Sequence, residues 1–173
     1  PPGRDHAGER PSIQRVSILA TEGVFASTLM QAKDFFHMAS LRYGRQLGLD
    51  LKPAFETRLV SPDGGAVSTF SGTSIAVDGA LDNADMLILP AFWGDFDALC
   101  ARYPQVARWL RERHAAGSVI CGEATGAFWM AQAGLLEGRE ATTHWRFAGE
   151  FAERFPGVQF SADKHLTDSD NLY

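Results

Sequence analysis

The stretch CGEATGAFWMAQAGLLEGREATTHW, residues 121–145, indicates the fold class of this chain. It begins as the end of an apolar strand, turns at the four residues 123–126 and continues as an apolar helix. Many α/β enzymes hold a nucleophile at such a turn, because one side chain projects above the sheet beside the helix amides. Here that side chain belongs to Ala124, so it is open whether this chain carries out chemistry at the turn.

Strands and helices alternate along the whole chain. Short apolar or alternating runs predict strands at 15–21, 54–61, 85–90 and 117–124. Helical spacing predicts helices at 27–47 with a stop at Gly48, at 97–116 with a break at Pro104, and at 125–133. Because strands alternate with helices, we predict an α/β fold with a mainly parallel sheet and helices on both of its faces.

Two segments have shorter elements. The turn at 62–65 (PDGG) precedes a β-rich run at 66–79, which predicts a hairpin or two short strands. The tail predicts a short strand at 141–145, a helix at 146–155 and a strand from Pro156 onward. Neither segment changes the expected fold class.

The composition suits one globular domain of 173 residues, 45% hydrophobic and 21% charged. The net charge of −5 and the absence of a basic cluster argue against DNA binding by this segment itself. Cys100 and Cys121 lack metal-ligand or disulfide-framework spacing, so we expect no metal and no cofactor. No apolar run is long enough to span a membrane, and the polar residues 1–14 predict a disordered leader rather than a signal peptide. We expect a cytoplasmic protein.

Ligands of an open parallel sheet bind outside the carboxyl ends of its strands. The loops to consider therefore follow Ala20, Leu89 and Cys121, and the later THW segment is expected nearby. The candidate ligand-binding residues are Glu22, Thr28, Phe92, Trp93, Glu123, Ala124, Thr125, His144 and Trp145. Phe92 and Trp93 follow a strand in a loop, where an aromatic ligand pocket explains them better than core packing alone.

A cysteine nucleophile is the alternative source of chemistry. Cys121 could act with His144 as its base, but it lies in the strand three residues before the tip, where burial is the expected state. Cys100 falls in a helical apolar pattern, which favours burial still more. Glu123 could be a general base or an anion that stabilises the helix dipole, and His144 could be catalytic or structural. Phosphate-loop, dinucleotide and GxSxG motifs are absent from the sequence.

One long motif, TGAFWMAQAGLLEGREATTHW at 125–145, is followed by FxxxFP at 151–156. This motif resembles the amidotransferase-like ThiJ/PfpI superfamily, and more closely the amino-terminal domain of GlxA-like regulators of the AraC/XylS type. A pattern of this length is far more specific than a three-residue motif. The resemblance implies a flavodoxin-like three-layer sandwich over residues 15–173.

The resemblance also implies which site residues are kept. Catalytic members have a cysteine directly before the Thr-Gly pair, a position that Ala124 occupies here, so covalent catalysis at the turn is not expected. Their acidic residue after the first strand aligns near Thr28, which leaves Glu22 as a displaced carboxylate. His144 matches the histidine of the family's THW segment.

Regulators of this type carry a carboxy-terminal domain with two helix-turn-helix units, while the amino-terminal domain senses a metabolite and dimerises. The resemblance therefore implies a small-molecule metabolite as ligand, a homodimer, and DNA contact only through an attached domain that is absent from this chain. Residues 170–173 resemble a strand that precedes the family's last strand and helix, so the chain is expected to be truncated.

Two other functions stay open. One is an amidase-, hydratase- or deglycase-like enzyme that uses Cys121, or a water activated by Glu123 and His144. The other is a scaffold that only dimerises. A reactive thiol of low pKa at Cys121 would favour the enzyme.

Overall fold

A computed structural model describes residues 14–46 and 54–173, and its centre is a parallel sheet. In chain order the strands are β1 (Gln14–Leu19), β2 (Phe55–Ser61), β3 (Val67–Ser68), β4 (Ser74–Ile75), β5 (Gly79–Ala80), β6 (Met86–Leu89), β7 (Val119–Gly122), β8 (Glu140–Ala141) and β9 (Gln159–Phe160). The helices are α1 (Ala26–Gln46), α2 (Phe96–Arg102), α3 (Gln105–Ala115), α4 (Ala127–Gln132) and α5 (Ala148–Arg154), with 3₁₀ turns at Ala124–Gly126 and Trp145–Phe147.

The main sheet has the order β5-β2-β1-β6-β7, and every neighbouring pair is parallel. β3 and β4 form a small antiparallel hairpin, while β8 and β9 form a separate parallel pair. The strand-like end of the chain lies beside β7, where the Ile120 amide donates to the Asn171 carbonyl at 2.8 Å. The predicted mainly parallel sheet is confirmed.

Successive side chains of a strand point to opposite faces of the sheet, so the apolar strands contribute to a core on each face. In β6, Leu87 and Leu89 join the core that contains Trp129 of α4, whereas Ile88 joins the core that contains Leu29 of α1. α1 thus covers one face, and α3 and α4 cover the other. This is the predicted three-layer α/β sandwich of the flavodoxin-like type.

Most predicted elements lie where the sequence placed them. The helix break at Pro104 separates α2 from α3, and Asp95 caps α2 by accepting from the Ala98 amide at 3.0 Å. Residues 1–13 of the predicted leader 1–14 and the stop at Gly48 lie outside the described residues, whereas Gln14 is the first residue of β1.

The predicted strand at 141–145 is wrong beyond Ala141. β8 pairs with β9 only at Glu140 and Ala141. The next two residues turn their hydroxyls to other segments: Thr142 donates to the Lys164 carbonyl at 3.0 Å, and Thr143 to the Ala124 carbonyl at 2.8 Å. Side-chain bonds of this kind replace a strand ladder and bring the THW segment to the turn after β7.

Candidate functional site

The turn after β7, here called the elbow (residues 123–126), has the backbone geometry that presents a nucleophile in α/β enzymes. The Glu123 amide donates to the Leu89 carbonyl at 2.9 Å, which ends the pairing of β7 with β6. Ala124 then has φ of 50°, in the left-handed region that costs a non-glycine residue about 1–2 kcal/mol. The elbow therefore keeps a strained conformation around a side chain that has no reactive group.

Gly126 allows the elbow to approach the neighbouring strand closely. A Cβ atom at this position would lie 1.9 Å from the Leu89 carbonyl oxygen. Backbone cannot yield at such a distance, so only glycine fits. The Thr-Gly pair of the motif thus has a steric reason that is independent of chemistry.

Thr125 fastens the elbow to the loop after β6. Its hydroxyl donates to the Phe92 carbonyl at 2.8 Å and accepts from the Phe92 amide at 2.8 Å. Thr125 is buried, and the Phe92 ring packs in the core against Phe96 and Trp129. Phe92 is therefore part of the core, and its backbone holds Thr125 of the elbow in place, while its predicted role in ligand binding stays a prediction.

Above the elbow lies an open cleft of about 290 Å³, here called the elbow cleft. Its lining residues are Gly122, Ala124, Thr142, Thr143, His144, Trp145, Ala162, Lys164 and His165. The structure thus brings together three of the predicted site residues, Ala124, His144 and Trp145. Trp145 is 78% exposed, so its indole forms an open wall rather than part of the core.

The elbow cleft carries basic and hydrogen-bonding groups. The Lys164 ammonium pairs with Glu140 at 2.6 Å; this contact raises the pKa of Lys164 and lowers the pKa of Glu140. His144 Nδ1 accepts from the Arg146 amide at 3.3 Å, which assigns the proton of the neutral ring to Nε2. His144 can therefore donate a hydrogen bond from Nε2.

Glu22 and Trp93 lie in a different place, a groove of about 220 Å³ against α2. The Glu22 carboxylate pairs with Arg102 of α2 at 3.0 Å. The Thr28 hydroxyl donates to the Phe25 carbonyl in the same turn of chain at 3.1 Å. Neither Glu22 nor Thr28 lines the elbow cleft, so the structure does not place a carboxylate from the loop after β1 beside the elbow.

Comparison with known proteins identifies the family of this chain. The DJ-1/PfpI family model matches residues 15–173, nearly the whole chain. The chain belongs to the DJ-1/PfpI family. The ThiJ/PfpI resemblance predicted from the elbow motif is therefore confirmed.

Relatives of this DJ-1/PfpI chain include named transcriptional regulators. It is 35% identical over 133 residues to the HTH-type transcriptional regulator CdhR of Pseudomonas aeruginosa, covering 75% of the chain and 37% of the relative. It is 26% identical over 153 residues to the HTH-type transcriptional regulator GlxA of Rhizobium meliloti, covering 84% and 43%. The chain therefore spans less than half the length of these two relatives.

A solved structure described as a transcriptional regulator is also similar to this chain. The crystal structure of a candidate transcriptional regulator from Vibrio parahaemolyticus superposes with a TM-score of 0.74 at 26% identity, covering 92% of this chain and 83% of that one. The flavodoxin-like sandwich is thus shared with a protein described as a regulator.

Both cysteines of this DJ-1/PfpI chain are partly buried. Cys121 packs with the core on the α1 side of the sheet. Burial, and secondarily the charge of Glu123, raises the pKa of Cys121 to about 11. Burial likewise raises the pKa of Cys100 to about 11. Burial also raises the pKa of the Glu123 carboxyl.

Four polar residues of the elbow cleft were not selected from the sequence: Thr142, Thr143, Lys164 and His165. The two threonines belong to the THW motif, whose polar residues could have pointed to them. Lys164 and His165 lie in an irregular segment without periodicity, and only the folded chain brings them to the elbow.

Neither a metal centre nor a membrane-spanning helix is found among the described residues. Within 14–46 and 54–173, no group of three or more His, Cys, Asp or Glu side chains is placed to hold a metal ion. None of the helices in the part that the structure describes is long and apolar enough to cross a membrane.

Proposed function

We propose that this chain is the ligand-sensing domain of a DNA-binding transcriptional regulator, and that its elbow binds a ligand without forming a covalent bond to it. The observation that carries the proposal is the 290 Å³ elbow cleft, built around an alanine held at φ of 50°. The strained geometry of a nucleophile position is kept while the nucleophile is not. Ligand binding is a use of the cleft that requires no reactive group at Ala124.

The relatives support the regulatory part of the proposal. CdhR and GlxA are named HTH-type transcriptional regulators, and the matched region covers 37% and 43% of them. We assign DNA contact to a separate domain, because a net charge of −5 does not favour binding to a phosphate backbone. Such a regulator would act in the cytoplasm, where bacterial DNA is found, and would bind DNA as a homodimer.

The groups in the elbow cleft favour a small polar metabolite that carries hydrogen-bond acceptors. The hydroxyls of Thr142 and Thr143 already donate to backbone carbonyls. His144 Nε2 and the remaining protons of Lys164 are donors that a ligand can use. The exposed Trp145 ring supplies an apolar surface beside them. A carboxylate or a similar oxygen-bearing group would satisfy these donors.

A second candidate function is hydrolysis by an activated water. It is favoured by one observation, the raised pKa of Glu123, the first residue of the elbow; raised carboxyl pKa values are common among acid–base catalysts. The same burial explains this pKa without any substrate. The thiol route through Cys121 is disfavoured, because a pKa of about 11 leaves very little thiolate at neutral pH.

Binding with simultaneous detection of turnover tests both candidates. A panel of small carboxylic acids, amino acids and amines is screened by thermal shift, and positive compounds are measured by calorimetry and followed by NMR. We expect binding without conversion, and a dissociation constant raised about tenfold or more by His144→Ala or Trp145→Ala. Arg108→Ala, an exposed change on α3, is the matched control and should leave binding unchanged.

Either of two results would contradict the proposal. Conversion of a bound compound, lost in Glu123→Gln, would favour the hydrolase. Binding that is insensitive to both changes in the elbow cleft would place the ligand elsewhere.

A further inference from the structure

A second, smaller cavity of about 40 Å³ adjoins the elbow cleft and is here called the inner pocket. Its floor is formed by five buried apolar side chains: Ala127, Met130, Leu136, Ala141 and Leu172. Gly122, Thr142 and His165 line both the inner pocket and the elbow cleft. The two spaces therefore meet at these three residues.

One wall of the inner pocket is the segment 165–173, which is fastened at both of its ends. At one end the Thr142 hydroxyl donates to the Lys164 carbonyl at 3.0 Å. At the other end the Arg139 guanidinium donates to the Ser169 hydroxyl at 3.0 Å. These bonds hold the wall in place without a ligand, so the inner pocket is formed in advance, as is usual for small-molecule sites.

Three of the polar side chains at the inner pocket already have protein partners. The Glu140 carboxylate accepts from the Ser161 hydroxyl and from the Lys164 ammonium, both at 2.6 Å. The hydroxyls of Thr142 and Ser169 are engaged in the bonds that fasten the wall. A polar group that entered would compete with these bonds, whereas an alkyl group fills the space without breaking any of them.

The volume of the inner pocket limits the length of the alkyl group. A single water needs roughly 10–15 Å³ of such space. The 40 Å³ of the inner pocket therefore hold roughly three groups of the size of a water or a methyl group. On the side of the elbow cleft, His144 Nε2 and the Lys164 ammonium are the donors for an acidic head group.

We infer that the ligand of the elbow cleft is a short aliphatic carboxylate whose alkyl end, about three carbons long, fills the inner pocket. The inference rests on the proposed function and adds the apolar half of the ligand to it. The carboxylate oxygens bind the donors of the elbow cleft, and the chain passes between Thr142 and His165 to the apolar floor.

A series of straight-chain carboxylates from acetate to octanoate tests the inference. The dissociation constant of each is measured by NMR titration of the isotope-labelled chain. Burial of a methylene strengthens binding about fourfold, so we expect this gain over about three successive members and no gain beyond them. 5-Hydroxypentanoate has the length of hexanoate and should bind about tenfold more weakly or worse, because its hydroxyl would be buried without a partner.

Two variants test whether the alkyl end lies in the inner pocket. Ala141→Val fills part of the pocket with two methyl groups and should flatten the series, so that hexanoate binds little better than acetate. Leu136→Val removes one carbon from the floor, and the gain should then continue for about one more methylene. Leu87→Val is the matched control, because Leu87 is buried in β6 and lines neither space, and it should leave the series unchanged.

Affinities that do not depend on chain length, or a series that neither Ala141→Val nor Leu136→Val alters, would overturn the inference. The same holds if no carboxylate of the series binds. The proposed function is judged separately, by the effect of His144→Ala on the binding of the amino acids and amines of the wider panel. Failure of the inference is thereby distinguished from failure of the sensor function.

Discussion

Replacing Ala124 by cysteine introduces a thiol at the tip of the elbow and allows comparison with the partly buried native Cys121. Alanine and cysteine both have a Cβ atom, so the A124C change adds no backbone strain at φ of 50°. Ala124 lies in the elbow cleft, at the start of a helical segment whose amides favour the thiolate. We therefore expect the introduced thiol to label at least as fast as a free cysteine.

The expected rate for Cys121 follows from its pKa. Burial raises the pKa of Cys121 from 9.0 to about 11, which lowers the thiolate fraction at neutral pH about 100-fold. A thiolate of higher pKa is intrinsically more nucleophilic, which returns a factor of about 8 with a Brønsted coefficient near 0.45. Cys121 should thus react about 12-fold more slowly than a free thiol, and more slowly still because it is partly buried.

The assay is labelling with iodoacetamide at several pH values, with peptide mass spectrometry to separate the cysteines. Cys100 provides an internal control, because burial raises its pKa to about 11 as well. Labelling of Cys121 at the rate of a free thiol would refute its burial and restore the cysteine-enzyme hypothesis. Labelling of the introduced thiol more slowly than Cys121 would refute the exposed elbow geometry.

Four further changes test the close packing of the elbow and the carboxyl groups at or near it. Gly126→Ala places a Cβ 1.9 Å from a strand carbonyl oxygen and should lower the free energy of unfolding by about 3 kcal/mol or more, measured with urea. Gly149→Ala meets no atom within 4 Å and should be neutral or slightly stabilising; equal losses in both would contradict the steric argument. Glu123→Gln should stabilise the protein at pH 7 but not below about pH 4, because the raised folded pKa penalises the carboxylate as pH rises through its unfolded pKa. Glu140→Gln should have the opposite sign at pH 7, since Lys164 lowers the pKa of Glu140, and a gain in both variants would refute this assignment.

Local patterns were sufficient for the layers of the fold and for the elbow. The apolar runs of β1 and β6 predict strands buried on both faces, because hydrophobic residues on successive positions require cover on each side. The Thr-Gly pair and the apolar helix that follows predict the turn, since its geometry depends on neighbouring residues. The same strand alternation predicts that Cys121 points into a packed layer, as observed.

The burial of Phe92 and the exposure of Trp93, two adjacent residues after β6, could not be predicted from local sequence. Phe92 enters the core, whereas Trp93 stays 40% exposed, and no local pattern distinguishes them. The difference arises because Thr125, far along the chain, binds both backbone groups of Phe92. A long-range contact therefore decides which aromatic ring faces solvent.

Residues close together in the chain are sufficient to predict the α/β class, the parallel sheet, the elbow and the alanine at its tip. Which side chains share a cleft depends instead on contacts between distant segments. Glu22 pairs with Arg102 rather than approaching the elbow, and Lys164 and His165 reach it from an irregular segment. Tertiary packing also decides which side of α1 is buried, because apolar residues lie on both sides of that helix and only its contact with the sheet leaves Met30, Phe35, Met38 and Leu41 exposed.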